Sequence, residues 1–358
     1  AATIYYRDIG DFLTREEKLT IISSAGSMLS KEMKWKVIKP NKAGDWINQR
    51  SQAFETMIPL GDKKADENST VFKPVYTQGI LTAMDKWAIS SSEKSLTTIM
   101  TDAMREWNTV LDEFVSSSDE NDLEQIIQQS GSPITPWSAH IKDSIRRRIQ
   151  FRFDAAAIRV ATYRPFTKQL IYFNNQVNAR VYRMPLSFPE ADSQNRMIVC
   201  SGIGANKPFS SLMVDGLVEL QTLSNNQCFP LWYWEEEKAG DLFATSGKQC
   251  GLTDWFIGEG KKRFGQDVSP EDLFYYIYGL LHTKSYRETF ESDVKKVLAR
   301  VTLDVTKEQY EALRDAGRKL GDLHVNYESV PPHPDVMVYG DEWGNFRVEK
   351  LKHPKKGQ

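Results

Sequence analysis

The sequence predicts an α+β protein of mixed type, with a mainly helical first part followed by a mixed-sheet part carrying flanking helices. Three observations carry this. Apolar residues step by three and four over 93–114, the period of a helix with one buried stripe. Two short runs rich in β-branched and aromatic residues, 158–163 and 169–173, flank 164–168 in the pattern of a hairpin. Helix-opening signatures stand at Ser269 and Thr306, near the end of the chain.

In chain order, 3–13 reads as a short strand with Tyr5 and Tyr6. Thr14-Arg15-Glu16-Glu17 is a capping box, because the Thr hydroxyl accepts from the amide three residues on and the Glu reaches back. The helix it opens is expected to run to about Leu29. A turn at 41–45 contains Gly44, and 46–60 is a short amphipathic stretch closed by Pro59 and Gly61. Residues 61–70 are polar and charged and should form an exposed loop. The polar run 116–121 ends the helix over 93–114. The pattern changes after Pro133 and Pro136, with further strands expected at 197–200, 217–220 and 228–234. Ser269 caps a helix with Pro270 in its first turn and Glu271 and Asp272 near its positive end. Its body, 273–281, is almost wholly apolar or aromatic and should be buried. Thr306 to Gln309 repeats the capping logic, and Gly321 is expected to end that helix. We divide the chain into 1–132 and 133–358, with no internal repeat.

Composition bounds the function. The chain has 358 residues, 40% hydrophobic and 26% charged, as a packed globular protein should. No apolar run reaches the length of a membrane span, and no secretory signal opens the chain. Cys200, Cys228 and Cys250 form neither a disulfide framework nor a metal-ligand spacing, so reduced thiols and a cytoplasmic location are expected. A start at Ala1 and Ala2 suits an excised fragment.

The net charge of −2 announces no nucleic-acid binder, but the distribution does. From His140 to Arg183 ten basic residues face two acids, a local charge of +8, and nine of the ten lie outside any neat pairing with an acid. Tyr163, Phe166, Tyr172, Phe173 and Tyr182 are interleaved with them. Cations release counterions from the phosphate backbone, and arginine forks onto guanine edges. The candidate DNA contacts are therefore Arg146, Arg147, Arg148, Arg152, Arg159, Tyr163, Arg164 and Lys168. The alternative for Arg146, Arg147 and Arg148 is a solvated helix face. A second polar group, Asn195, Arg196, Lys207, Ser210, Ser211 and Gln227, lies around Gly202 and Gly204, which would let a backbone approach a phosphate; the alternative is an ordinary glycine turn. Trp232-Tyr233-Trp234 offers either a stacking platform or core packing.

Catalytic signals are weak. No Asn/Asp-Pro-Pro-Tyr/Phe tetrapeptide, no Gly-x-Ser-x-Gly elbow and no phosphate-loop motif is present, and the five histidines are scattered. His282, at the end of a buried helix, reads as structural. A Mg²⁺-dependent nuclease could be built from Asp215 with Glu236, Glu237 and Lys238, although such a triplet is common by chance.

Several stretches together resemble one family. They are Tyr5-Tyr6-Arg7-Asp8-Ile9-Gly10-Asp11, Asp45-Trp46-Ile47-Asn48-Gln49-Arg50, Ile58-Pro59-Leu60-Gly61-Asp62-Lys63, Tyr163-Arg164-Pro165-Phe166, Gln227-Cys228-Phe229-Pro230-Leu231, Glu271-Asp272-Leu273-Phe274-Tyr275-Tyr276-Ile277-Tyr278-Gly279, and Gly317-Arg318 with His324-Val325-Asn326-Tyr327. In this order they resemble the C-terminal target-recognition region of type ISP restriction-modification enzymes, which join a nuclease, a helicase-like motor and an adenine-N6 methyltransferase in one polypeptide. The resemblance implies recognition of double-stranded DNA by 133–358 and docking of 1–132 to the methyltransferase domain of the same polypeptide. It implies no catalysis by this chain alone, with S-adenosylmethionine, ATP and Mg²⁺ needed only by the full-length enzyme. It also implies more sequence after Gln358. The competing reading is a protein-interaction spacer without DNA contact.

Overall fold

The helix expected over 93–114 is Glu93–Ser116, and its residues explain it. Ser92 caps it by accepting from the Ser95 amide, and Leu96, Met100, Ala103, Met104, Trp107, Val110, Leu111 and Phe114 are buried along one stripe. Full burial of each large side chain contributes roughly 1.5–3 kcal/mol, so packing rather than propensity holds this element. Its stripe meets Ile141, Ile145, Phe151, Tyr172 and Val177 in one apolar cluster.

The computed structural model describes residues 2–10, 13–117, 122–130, 132, 135–205, 207–235, 247–331 and 334. The chain forms two units, Ala1–Val325 and Asn326–Gln358. The described part of the second holds a 3-10 turn, Tyr327–Ser329.

Among the described residues of the first unit the strands are β1 (Ile4–Tyr6), β2 (Lys36–Ile38), β3 (Ile58–Pro59), β4 (Thr77–Gln78), β5 (Ile89–Ser90), β6 (Ile158–Arg164), β7 (Thr167–Tyr172), β8 (Met197–Cys200), β9 (Ser211–Val214), β10 (Leu217–Val218), β11 (Gln227–Pro230), β12 (Trp232–Trp234), β13 (Lys248–Cys250) and β14 (Arg300–Val301). Two sheets have four strands, in the orders β10-β6-β7-β5 and β4-β11-β8-β9. Three have two: β1-β2, β12-β13 and β14-β3. With the helices, this is the α+β mixture the sequence predicts. The division at 132/133 does not separate two bodies. Strands β3, β4 and β5 lie before it and pair with β14, β11 and β7 beyond it.

Helix Pro270–His282 runs through the largest core cluster, and all nine residues of 273–281 are buried. Its partner is Lys307–Val325. That helix does not stop at Gly321. A Cβ on Gly317 would lie 2.1 Å from the Tyr275 carbonyl oxygen, and one on Gly279 would lie 2.0 Å from that of Leu313. Glycine here permits two helix backbones to touch rather than ending a helix.

Two other boundaries differ from expectation. The first helix is Arg15–Ser24, shorter than foreseen, and is followed by Gly26 at φ +77°. The run 228–234 is broken at Leu231 into β11 and β12, because the Leu231 amide turns to donate to Arg196 and its carbonyl accepts from Gly251.

Candidate nucleic-acid interface

Strands β6 and β7 form the expected hairpin, with a register irregularity between Thr162 and Arg164 and Phe166 at φ +54° in the tip. Its open end is anchored in the core beneath the long helix, where Tyr172 stacks on Phe153 and its hydroxyl accepts from the Asp154 amide at 2.8 Å. The tip reaches elements far along the chain. Arg164 donates to the Glu219 carboxylate at 2.6 Å, and Lys168 approaches Asp215 at 3.8 Å and the Val325 carbonyl at 3.5 Å. A strand of seven residues is roughly 20 Å long, so the two ends of the hairpin serve different neighbourhoods.

The predicted hairpin residues are therefore heavily engaged within the chain. Arg159 donates to the carbonyls of Phe188, Pro189 and Glu190 and lies 5.4 Å from the Phe173 ring centre. Burial pulls its pKa down. Arg164 lies 3.9 Å over the Tyr163 ring and is also 3.9 Å from Asp85, while the Tyr163 hydroxyl faces the same Asp85 carboxylate at 3.5 Å. The expectation that these cations lack acidic partners is corrected here. The partners, Asp85, Asp215 and Glu219, come from elsewhere in the sequence and become neighbours only on folding.

Arg146 ends helix Ala139–Arg146, Arg147 is its C-cap, and Arg148 follows at φ +56°. All three and Arg152 are exposed. Arg146 pairs with Glu124 at 3.5 Å and Arg147 with Asp143 at 3.7 Å. Cations at a helix C-terminus also suit its dipole. This group sits toward the open end of the hairpin, not its tip.

The second predicted group is divided. Asn195 is buried, donating to Ser187 and Trp232 carbonyls and accepting from the Arg196 and Trp232 amides. Ser211 is buried in β9, its hydroxyl beside the Cys200 thiol. These two side chains are structural, because their polar atoms already meet partners inside. Gln227 is half-buried in β11, paired with Cys200 and Gln78. Arg196 lies 3.4 Å from Asp322. It lines a cleft of about 360 Å³ with Asn195, Trp232, Tyr275 and Arg318. A different cleft, of about 310 Å³, brings Arg164 together with Lys207, Ser210, Gln221 and Ser224. The clefts lie at opposite ends of β8, since Arg196 precedes that strand and Ser201 follows it.

The sequence reading did not single out Glu219, the carboxylate partner of Arg164, or Gln221 in the lining of this cleft; the available signal was a lone acid in an apolar stretch, 217–220. In β12, Tyr233 is buried while Trp232 and Trp234 are half-buried, and the Lys248 ammonium stands 4.6 Å over the Trp232 ring. Of the nuclease candidates, Asp215 faces Lys168; Glu236, Glu237 and Lys238 lie outside the described residues.

Residues 70–358 match the family model of the Type ISP C-terminal specificity domain. The chain belongs to this family. No curated protein matches it. Among solved structures, the specificity domain is similar to a nuclease-deletion mutant of the Type ISP restriction-modification enzyme LlaGI in complex with a DNA substrate mimic. The identity is 30%, the TM-score 0.80, and the match covers 99% of this chain and 26% of that one. It is equally similar to the ATP-dependent Type ISP enzyme LlaBIII bound to DNA, at 30% identity and TM-score 0.81, over 99% of this chain and 22% of that one. A DrdV–DNA complex shares the fold at 24% identity and TM-score 0.78, over 93% and 31%. The specificity domain thus spans about a quarter of the length of the Type ISP enzymes it matches.

Proposed function

We propose that this specificity domain reads a short sequence in double-stranded DNA as one part of a longer restriction-modification polypeptide, positioning the DNA for adenine-N6 methylation and cleavage by other parts. One observation carries the reading. The fold is shared over 99% of the chain, at 30% identity, with two Type ISP enzymes, one in complex with a DNA substrate mimic and one bound to DNA. The surface supports it. Arg146 and Arg147 are 48% and 69% exposed and hold only solvent-facing ion pairs. Such pairs contribute about 1 kcal/mol or less and exchange readily for phosphates. On this reading the chain works in the cytoplasm. Among the described residues no helix is long and apolar enough to cross a membrane.

The chain alone catalyses nothing on this reading. Among the described residues no group of three or more His, Cys, Asp or Glu side chains could hold a metal ion. Sites for S-adenosylmethionine, ATP and Mg²⁺ are assigned to other parts of the polypeptide.

The test is fluorescence anisotropy of a labelled duplex across a salt series. The logarithm of the binding constant should fall linearly with the logarithm of salt, by about 0.9 per phosphate contacted. Binding that does not weaken with salt, or no binding at low salt, would overturn the proposal.

A second role is favoured by residues 4–47. Helix Arg15–Ser24 buries none of its residues. Leu19, Ile22, Met28 and Leu29 are exposed, Leu29 by 96%. An apolar surface of this kind marks an interface, and we assign it to the methyltransferase domain. Leu29→Asp should leave the specificity domain folded and weaken its association with a separately expressed methyltransferase part; unchanged association would remove the assignment.

A further inference from the structure

We infer that Tyr182 is a stacking wedge for duplex DNA, entering the helix where a base has left the stack, and that Arg180 and Arg183 hold phosphates on either side of it. The inference rests on the proposed reading of DNA and goes beyond it by assigning a contact that serves the opened base step rather than the sequence.

Tyr163, Phe166, Tyr172, Phe173 and Tyr182 interleave the basic segment, and folding gives the first four partners. Tyr163 lies under Arg164 and Phe173 under Arg159, Tyr172 stacks on Phe153, and Phe166 meets His324 edge-on at 5.2 Å. Tyr182 is 38% exposed. Among the described residues its side chain has no hydrogen-bond, ring or cation partner. Arg180 and Arg183 are exposed on either side of it, and among the described residues no acid pairs with either. A ring set between two cations that lack acidic partners suits a polyanion built of stacked bases.

The backbone fixes where the ring stands. Tyr182 has φ +50°, a conformation rare for a bulky side chain, and such strain persists only where the surroundings enforce it. The chain is pinned on both sides. Arg180 exchanges two backbone hydrogen bonds with Leu81, at 3.0 and 2.8 Å, and the Arg183 amide donates to the Thr77 hydroxyl at 3.0 Å. The Arg183 guanidinium donates to the Pro74 carbonyl. Val181 and Met184 are buried beneath the turn, which the Met184 amide closes on the Val181 carbonyl at 3.2 Å. None of these ties uses the Tyr182 side chain. The fold therefore carries the strain, and the ring is held out with only two side-chain torsions left to order on binding.

Adenine-N6 methylation supplies the partner. An intact duplex buries the faces of its bases against one another and offers no π surface to a protein ring. A face opens when the target adenine is turned out of the stack, as chemistry on a duplex base requires. Side chains inserted between base steps can fill such an opening. A ring in the gap recovers part of the stacking lost, and two arginines on the adjoining phosphates keep it seated. The wedge thus favours the opened step without touching the adenine itself.

The experiment starts from a duplex that the full chain selects from a library with a randomised centre. Binding is measured to that duplex and to versions carrying an abasic site at each position in turn. Wild type should bind the version abasic at one adenine roughly 5- to 100-fold more tightly than the intact duplex, because the opened step is already present. Tyr182→Ala, which removes no tie within the fold, should lose that preference, and Tyr182→Trp should keep it. Arg180→Ala should weaken binding to both duplexes alike and reduce the salt slope by about one. If no abasic version binds more tightly than the intact duplex, this inference alone fails. A preference that survives Tyr182→Ala would remove Tyr182 from the role, and an unchanged slope would remove Arg180 from the phosphates. A wild-type chain that selects no duplex would overturn the DNA-reading proposal, and this one with it.

Discussion

The Arg164 guanidinium lies 2.6 Å from the Glu219 carboxylate, and the two side chains are 39% and 3% exposed. Burial, helped by the charge of Asp85, lifts the Glu219 carboxyl above its ordinary range even though Arg164 and the Gln221 amide pull it down. An acid with a raised folded-state pKa contributes stability that is present below the ordinary carboxylate range and lost as pH rises through the raised value. Arg164 offsets that loss. Arg164→Ala should therefore destabilise the fold by about 1–3 kcal/mol at neutral pH, toward the lower end because Arg164 is partly solvated. The loss should shrink as pH falls and Glu219 takes up a proton. Urea melts at two pH values check this, and an equal loss at both would contradict it.

His282 gives the opposite sign. Its Nδ1 faces the Tyr278 carbonyl at 2.8 Å and its Nε2 the Ser211 carbonyl at 3.2 Å, and burial pulls its pKa down from 6.5 to about 4. Below pH 6.5 the unfolded chain takes up a proton that the folded chain refuses. Stability should fall between pH 6.5 and 4, by roughly 3 kcal/mol at most. His282→Gln should flatten that limb of a plot of stability against pH; a limb unchanged by the substitution would assign the loss to other groups.

The contact between Gly279 and Gly317 predicts an inverted helix-propensity effect. Alanine normally stabilises a helix by about 1 kcal/mol over glycine. Gly317→Ala would place its Cβ 2.1 Å from the Tyr275 carbonyl oxygen, so the helices must separate. The expected result is a net loss of about 3 kcal/mol or more, visible as a lower urea midpoint. A neutral or stabilising result would mean that the two helices slide apart without cost.

Lys207 is exposed at the rim of the hairpin-tip cleft. If it meets a phosphate, Lys207→Ala should weaken binding evenly across sequences and reduce the salt slope by about one. A variant with wild-type slope would place Lys207 away from the DNA backbone.

Local patterns determined the elements of this protein by themselves. The stripe from Leu96 to Phe114, the caps at Thr14, Ser269 and Thr306, and the hairpin around Pro165 are set by side chains within a few residues of one another, so spacing alone reveals them. The ordered motifs also carried the family. What only the tertiary structure decided depends on long-range neighbours. Arg164 reads as a cation open to DNA until folding places Glu219, fifty-five positions away, against it. Gly321 reads as a helix stop until the partner helix is seen to require close-packed glycines at 279 and 317. Asn195 and Ser211 read as polar donors until burial turns their polar atoms inward. Periodicity reports which face of an element is apolar; it does not report which distant residue meets a given charge, and that meeting separates a DNA contact from a structural tie.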